Sequence, residues 1–302
     1  MTPDLLKILS GSGPCADDLR LLRLYLDLLD SPFLRVLALA TRLRFTPGVL
    51  DLIRSAPLPP EERGALFSRA MNLFSSGAAY KTTGRGRTPL ADEETLKAAR
   101  PGARLLEAGV SDGTSALDLL ARANGAEVIL SDSQAGFAYK DHGPFRTYYG
   151  LTGGCASVKF GPVLFCTGLR LRPPADAALV SALNPLLSEG GGVRELLSFD
   201  IFTDRLDPPA DAVKCANVLN LSYFPPERIK AALANLRRSL KADGLLVISQ
   251  TNPAYEGGEA VITLRNTAAG FALQRELNRH ELLAELAKPL FSDLVRTPEG
   301  HV

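Results

Sequence analysis

The sequence has little of what metal sites, disulfides and nucleic-acid surfaces require. It contains three histidines and four cysteines (Cys15, Cys155, Cys166 and Cys215), and no two cysteines form a C-x-x-C pair. No histidine stands near them at metal-ligand spacing, so no structural metal is expected. The cysteines are instead expected to be small buried side chains in a reducing compartment. A net charge of +1, from 34 basic and 33 acidic residues, gives no overall field that favours nucleic acid or acidic membranes.

Long apolar runs are also missing. No run is long enough to cross a bilayer, and the N-terminal Met-Thr-Pro-Asp lacks the basic region and apolar core of a signal peptide. A cytoplasmic protein is therefore expected. The chain does have 302 residues and a hydrophobic content of 46%, which suffice for a substantial core in one or two domains.

The first 95 residues are predicted to form a helical domain. Apolar residues recur at helical spacing from Leu19 to Leu29, and Glu61 to Phe74 resumes a helix just after Pro60. The stretch from Phe33 to Leu43 is apolar apart from its arginines, which predicts a helix packed on more than one side. This domain could be a lid, a substrate domain, a homodimer surface or a cover for one side of a sheet.

A basic, glycine-containing segment follows at residues 80–89. Lys81, Arg85 and Arg87 could meet a carboxylate of a cofactor or substrate, or the segment could be a solvated connector.

A strand, a glycine-bearing turn and a helix are predicted from Arg104 onward. The residues R-L-L-E-A-G-V-S-D-G-T-S run from an apolar strand through Gly109 and Gly113 into a segment of helix-forming composition. A dinucleotide fingerprint would need glycine also at Ser111 and Thr114, so two of its three glycines are missing. The turn remains suitable for close approach of a ligand to the backbone and to a helix N-terminus.

A second strand, residues 126–132, ends in Asp132. In α/β nucleotide-binding folds a carboxylate at this strand end accepts hydrogen bonds from ribose hydroxyls. Later segments predict a third strand at 196–201, a fourth at 211–220, an amphipathic helix at 227–240, a fifth strand near 244–249 and a hairpin at 260–276. Between them, residues 134–194 are rich in glycine and predict short strands or hairpins.

The phrase E-x-G-x-S-x-G, residues 107–113, resembles motif I of the class I S-adenosylmethionine-dependent methyltransferases. L-K-x-x-G-L-L-V-I-S, beginning at Leu240, is similar to another segment of that family, with Ala242 and Asp243 in place of the usual proline and glycine. The resemblance implies an α/β fold: a seven-stranded Rossmann-like methyltransferase sheet with an N-terminal helical domain and a β-rich insertion. The corresponding domains are 1–95 and 96–302, with the insertion at about 134–194.

The resemblance also implies S-adenosylmethionine as the cofactor and a set of contacts with it. Glu107 would lie near the methionine ammonium, Asp200 near the adenine amino group and Asn217 near the methyl group. The full implied set is Glu107, Gly109, Ser111, Gly113, Asp132, Ser133, Asp200, Ile201 and Asn217.

The methyl acceptor is not identified by the sequence, and a small molecule is expected. The weak candidates for a catalytic base are His142 and Tyr223, with His280 considered beside them. Cys215-Ala-Asn-Val-Leu is similar to C-R-N-V-L of the chemotaxis-receptor glutamate methyltransferases, but Ala216 replaces the arginine. Protein glutamate methylation and a non-catalytic S-adenosylmethionine-binding scaffold therefore remain alternatives. An NAD-dependent oxidoreductase is disfavoured by the glycine spacing.

Overall fold

The computed structural model describes residues 12–76, 79–80, 84–152, 154–190, 193 and 195–296. The chain divides into two compact units, residues 1–82 with 136–194 and residues 83–135 with 195–302. Lys81 lies outside the described residues. No helix in the described ranges is long and apolar enough to cross a membrane.

The helices begin at residues that favour helix starts. Asp18 caps the first helix by accepting a hydrogen bond from the Leu21 amide, and Pro60, Pro89 and Pro226 occupy first helical positions. In chain order the α-helices are α1 (Leu19–Asp30), α2 (Arg35–Ala40), α3 (Gly48–Ser55), α4 (Pro60–Met71), α5 (Pro89–Leu96), α6 (Leu117–Arg122), α7 (Pro185–Gly190), α8 (Pro226–Arg238) and α9 (Leu282–Leu286).

The strands share two larger sheets and one small pair. They are β1 (Gly13–Pro14), β2 (Ser75–Ser76), β3 (Ala79–Tyr80), β4 (Arg104–Ala108), β5 (Glu127–Asp132), β6 (Gly136–His142), β7 (Phe145–Thr152), β8 (Cys155–Phe160), β9 (Val163–Cys166), β10 (Ala178–Ser181), β11 (Leu197–Ser198), β12 (Ala210–Ala216), β13 (Leu240–Thr251), β14 (Glu259–Thr267), β15 (Gly270–Leu277) and β16 (Val295–Arg296).

The first unit combines α1 to α4 and α7 with an antiparallel sheet. Its six strands lie in the order β1-β9-β8-β7-β6-β10, with β2 and β3 forming a separate pair. The short strands expected between residues 134 and 194 are β6 to β10. They belong to the same unit as the N-terminal helices.

One expectation for the first unit was wrong. The segment from Phe33 to Leu43 was expected to pack on more than one side, but Phe33 is 88% exposed and Val36 is 73% exposed. Only Ala38 of α2 is buried. The helix is six residues long, so it offers one short edge to α1 and leaves the remaining apolar side chains in solvent.

The second unit is built on a mixed sheet whose described strands lie in the order β11-β5-β4-β12-β13-β14-β15-β16. The strands β11, β5, β4, β12 and β13 are parallel, and β14 runs antiparallel to β13 and β15. The sheet has eight strands where seven were expected, because the two-residue β16 pairs with β15. From β4 the chain continues through β5 to β11 on one side, and then returns to add β12 and β13 on the other side of β4. Ligands of open α/β sheets bind at such a change in strand order, here between β4 and β12.

Each face of this sheet is buried by helices. On one face Leu106, Val213 and Ile248 pack with Ile229 and Leu233 of α8 in the main core. On the other face, smaller apolar clusters include Leu105 and Ala212 with Ala98, and Val247 and Val261 with Ala91 of α5. The next residue of β4 on that second face is Glu107, so a buried carboxylate adjoins these apolar clusters.

Candidate functional site

The turn after β4 is wound by three residues with positive φ. Gly109, Ser111 and Gly113 have φ values of 78°, 59° and 86°. The amides of Gly109 and Val110 donate to the Ser131 carbonyl, at 2.8 and 3.1 Å, and the Gly113 amide donates to the Val110 carbonyl. Ser111 thus adopts a left-handed conformation that glycine would adopt with less strain.

Both the positive φ at position 109 and the side chain of a neighbouring residue favour glycine there. A Cβ atom built on it would lie 2.3 Å from Cγ2 of Val218, which follows the end of β12. The predicted close approach at Gly109 is therefore made, at least in part, by the protein itself.

Asp132 is oriented by backbone amides. Its Oδ2 accepts from the Ser111 amide at 2.8 Å, and its Oδ1 accepts from the Gln134 amide at 2.9 Å. The side chain is 8% exposed. The structure thus joins two of the predicted site residues directly, because the carboxylate at the end of β5 holds the turn that follows β4.

Glu107 belongs to a buried ionic cluster. Its Oε1 accepts from Lys214 Nζ at 2.9 Å and from Ser115 Oγ at 3.4 Å. Lys214 Nζ also donates to Asp92 Oδ1 of α5 at 2.5 Å. All three charged side chains are 3% exposed or less. The other oxygen of Glu107, Oε2, is buried and has no hydrogen-bond partner within the described ranges.

A third carboxylate lies close to this cluster. Glu259 of β14 is 1% exposed and accepts from the amides of Leu90 and Ala91 at the start of α5, at 2.8 and 3.2 Å. Burial raises the pKa of Glu259. Burial also raises the pKa of Asp92, to about 6, against the opposing effect of Lys214. The pKa of Lys214 is raised, because the attraction of Glu107 and Asp92 exceeds the effect of burial. The cluster therefore carries more acidic than basic groups.

Lys214 and Asp92 were not among the predicted site residues. A signal for Lys214 was available, since it is a charged residue between Val213 and Cys215 in the predicted fourth strand, and lysine is seldom buried without a partner. Asp92 gives no comparable signal, because acidic residues are common in the first turn of a surface helix.

Asn217 lies just after β12, with φ 59°. Its side-chain oxygen accepts from the Thr251 amide at 2.7 Å, and its Nδ2 donates to Thr251 Oγ1 at 3.2 Å. The amide group therefore ties the carboxyl ends of β12 and β13 together at the edge of the sheet that also carries Gly109 and Asp132.

The other predicted contacts follow β5 and β11. Asp200 Oδ1 accepts from the Phe202 amide at 2.9 Å, so this carboxylate organises a local turn. Ile201 is 7% exposed and packs in the main core, which leaves its backbone rather than its side chain for a ligand. Ser133 is exposed beside Asp132.

The three candidate bases have different surroundings. His142 is exposed at the end of the β6–β7 hairpin in the first unit. Tyr223 is 45% exposed and its ring lies edge-on to Phe224. His280 is buried, and its Nδ1 accepts from the Leu282 amide at 3.1 Å. Burial lowers the pKa of His280 to about 4, so it is neutral at pH 7.

Of the three basic residues predicted in this segment, Arg85 and Arg87 are described. Arg85 forms an ion pair with Asp118 of α6 at 2.9 Å, so it lies beside the helix that follows the glycine turn. Arg87 contributes its carbonyl oxygen, which accepts from Thr251 Oγ1 at 3.4 Å.

No protein-family model matches the chain, and no curated protein matches it. Among solved structures, it is similar to the 1,6-didemethyltoxoflavin-N1-methyltransferase of Burkholderia thailandensis, bound to 1,6-didemethyltoxoflavin and S-adenosylhomocysteine. The identity is 16%, the TM-score is 0.34, and the match covers 77% of this chain and 80% of that one.

Two further structures show likenesses of the same order. The amino pentose methyltransferase CalS10 of Micromonospora echinaspora, with S-adenosylmethionine bound, is 19% identical with a TM-score of 0.29, over 62% of this chain and 66% of that one. A TehB-like S-adenosylmethionine-dependent methyltransferase of Corynebacterium glutamicum is 17% identical with a TM-score of 0.30, over 54% and 63%. The chain spans slightly less than two thirds of these two proteins. All three are methyltransferases, but likenesses this low identify neither a family nor a substrate.

Proposed function

We propose that this chain is an S-adenosylmethionine-dependent methyltransferase. The observation that carries the proposal is the hydrogen bond from the Ser111 amide to Asp132. It holds a strand-end carboxylate against a glycine-bearing turn at the carboxyl edge of parallel strands. A sheet of this kind with a carboxylate at that position suits a ligand with ribose hydroxyls. The proposal extends to the finer fold, a Rossmann-like methyltransferase sheet with a helical N-terminal domain and a β-rich insertion.

The residues present fit the cofactor in charge and in hydrogen bonding. The buried Oε2 of Glu107 has no hydrogen-bond partner among the described residues, which suits the ammonium group of the methionine part. The Asp132 carboxylate, at the end of β5, would face the ribose hydroxyls, and Asp200 with Ser133 and the Ile201 backbone would line the adenine end. Gly109, Ser111 and Gly113 would let the backbone approach the ligand.

When bound, S-adenosylmethionine supplies a methyl group on a sulfonium, which is transferred by displacement at carbon. The contribution of the protein is to hold the reacting groups in line and to exclude water. Asn217 is held by Thr251 through two hydrogen bonds, so it is a rigid polar group at the edge where the acceptor would enter. Of the candidate bases in the second unit, Tyr223 is exposed to an incoming acceptor, whereas His280 is buried.

A small-molecule acceptor is proposed on the basis of charge. The chain is nearly neutral, and nucleic-acid acceptors are normally attracted by an excess of basic residues. Methylation of a protein glutamate stays an alternative that depends on the resemblance around Cys215. A cytoplasmic location is proposed because all four cysteines are free thiols.

Calorimetric titration with S-adenosylmethionine, S-adenosylhomocysteine and NAD tests the cofactor. We expect the first two to bind in the micromolar range. Asp132→Ala should weaken both by about tenfold to a hundredfold, because charge-assisted hydrogen bonds are worth about 1.5–3 kcal/mol. Glu107→Gln should weaken binding through loss of a charge opposite the ammonium group.

Asp118→Asn is the control, since Asp118 pairs with Arg85 at the surface of the same unit. Its affinity should equal that of the wild type. Unchanged affinity in Asp132→Ala would refute the assignment of the ribose site, and binding of NAD alone would mean that the turn at Gly109 serves a dinucleotide.

A further inference from the structure

The buried cluster of Lys214, Asp92, Glu107 and Glu259 is larger than a contact to one ligand group requires. Lys214 stands opposite Glu107 in the register of β12 and β4, so two neighbouring strands carry opposite charges on one face. Asp92 reaches the same ammonium from α5. Burying these charged side chains costs free energy of desolvation, and the cluster nevertheless lies beside the buried apolar residues Ala91, Ala98 and Val247.

The hydrogen bonds divide the two oxygens of Glu107 into different roles. Lys214 and Ser115 both donate to Oε1, while the buried Oε2 receives no donor from the part of the chain that the structure describes. Ser115 directly follows the glycine turn, so its hydrogen bond places the Glu107 carboxylate beside that turn. A buried carboxylate oxygen without a donor, such as this Oε2, is suited to a hydrogen bond from a ligand.

The charges of the cluster do not balance. Asp92 is faced by Lys214 of β12, Glu107 of β4 and Glu259 of β14, so three carboxylates surround one ammonium. The start of α5 offsets part of the charge on Glu259 through two amides. An added cation would relieve the remaining repulsion. The α-ammonium of an amino-acid group is a cation of the right kind, and it can also donate to Oε2.

We propose that Lys214 and Asp92 are positioning residues for the cofactor's amino-acid end: Lys214 fixes Oε1 of Glu107 so that Oε2 receives the α-ammonium, and the ionised Asp92 supplies the extra negative charge that this cation offsets. The inference rests on the proposed function. The inference also couples cofactor binding to proton release, because a bound cation favours the ionised form of Asp92 and so displaces its proton. Burial raises the pKa of Asp92 to about 6, so the coupling falls near neutral pH.

The test is calorimetric titration of two ligands across the range from about pH 5 to about pH 8. S-adenosylhomocysteine carries the α-ammonium but no sulfonium, and 5′-methylthioadenosine lacks the whole amino-acid group. In the wild type, we expect the affinity for S-adenosylhomocysteine to fall by about tenfold per pH unit below the pKa of Asp92. Binding should release a proton below that pKa, and this release should disappear above it. The affinity for 5′-methylthioadenosine should change by less than about twofold.

Two variants separate positioning from a general structural role. Asp92→Asn keeps the side-chain shape and should remove the pH dependence for S-adenosylhomocysteine. Lys214→Met should weaken S-adenosylhomocysteine at least about tenfold more than 5′-methylthioadenosine, since only the former uses Glu107. Glu94→Gln is the matched control: Glu94 is a buried carboxylate on the same helix that pairs with Lys97 and Arg275, outside the cluster. Its pH profile should follow the wild type.

Each outcome decides the proposal. If Lys214→Met weakens both ligands equally, or if Asp92→Asn retains the wild-type pH dependence, the positioning role is refuted while the cofactor assignment survives. If Lys214→Met does not fold, Asp92→Asn alone decides. If neither ligand binds the wild type at any pH, the proposed function fails, and this inference fails with it.

Discussion

At the scale of single residues, the site depends on positions where the backbone tolerates few side chains. Gly109 combines a φ of 78° with a neighbouring valine methyl group that leaves no room for a Cβ atom. Gly102 has nearly the same φ, 77°, but nothing lies within 4 Å of the place where its Cβ would be. Comparing alanine substitutions at the two positions therefore separates the cost of a left-handed backbone from the cost of a steric clash.

Gly109→Ala should lower the free energy of unfolding by about 2–4 kcal/mol, from a left-handed alanine together with the clash against Val218. Gly102→Ala should lower it by only about 1 kcal/mol, from the backbone alone. Urea denaturation at fixed pH measures both.

The double variant Gly109→Ala with Val218→Ala isolates the clash, because the nearest remaining atom of residue 218 is its Cβ at 3.5 Å. The alanine at 109 should then be about as harmful as the alanine at 102. Equal losses at 109 and 102 in the wild-type background would show that Val218 moves aside freely.

The positions of individual candidate residues in the fold were predictable where a local pattern marks them. Glu107 and Asp132 each end an apolar strand, and the structure places both on neighbouring strands of the parallel sheet. Asp92 could not be found in this way. It meets Lys214 across 122 residues of sequence, and that contact exists only once α5 has packed on the sheet.

At the scale of elements, a single carboxylate fastens the starts of two central strands. Asp211, at the second position of β12, is 6% exposed and accepts from the Arg104 amide of β4 at 2.9 Å. Arg100 and Lys241 each reach it at 2.7 Å. Burial would raise the pKa of Asp211, but Lys241, the Arg104 amide and Arg100 together lower it.

Asp211→Asn should lower the free energy of unfolding by about 1–3 kcal/mol at pH 7, since charge-assisted hydrogen bonds to a buried group become neutral ones. Because the folded-state pKa is lowered, the stabilisation by Asp211 is present above the unfolded-state pKa of about 3.9 and is lost as the pH falls through the folded-state value. The wild type and the variant should therefore converge in acid.

Chemical denaturation at pH values from about 7 down to about 3 measures this convergence. Asp293→Asn is the control, because Asp293 pairs with Lys230 while 69% exposed, and such surface pairs contribute little. A constant difference between Asp211→Asn and the wild type at all pH values would contradict the assignment of the effect to ionisation.

Elements with a clear period were predicted well. The helix expected at 227–240 is α8, and the hairpin expected at 260–276 is β14 with β15. The segment from Phe33 to Leu43 was misjudged because a uniformly apolar composition predicts burial without naming a partner. In the structure, α2 has too few turns to bury that composition.

At the scale of the whole molecule, this exposed segment bears on self-association. Phe33, Val36, Leu37 and Leu39 are each more than half exposed, and exposed apolar groups that adjoin one another mark contact surfaces. The homodimer expected through the N-terminal helices stays a prediction, and these side chains are where it would form.

We expect the wild-type chain to have twice the mass of one chain by light scattering, and Phe33→Ser combined with Leu37→Ser to have the mass of one chain. Leu179→Ser on β10, where the leucine is 60% exposed in the same unit, should leave the mass of the wild type unchanged. A wild type with the mass of a single chain at all concentrations would contradict the homodimer.

The division of the chain into two units could not be derived from the sequence. The strands β6 to β10 stand between two strands of the second unit, yet they form one sheet with β1 near the N-terminus. Pairing between residues so far apart leaves no local trace, since a two-residue strand such as Gly13–Pro14 has no period to detect.

The ends of the two sheets have a consequence for how the protein resists aggregation. The mixed sheet ends on β11 and β16, and the antiparallel sheet ends on β1 and β10; three of these four strands have two residues and β10 has four. Strands this short present few unpaired backbone groups to another chain. In the described ranges, the outer edges of these two sheets therefore offer little backbone to amyloid-like growth by strand addition.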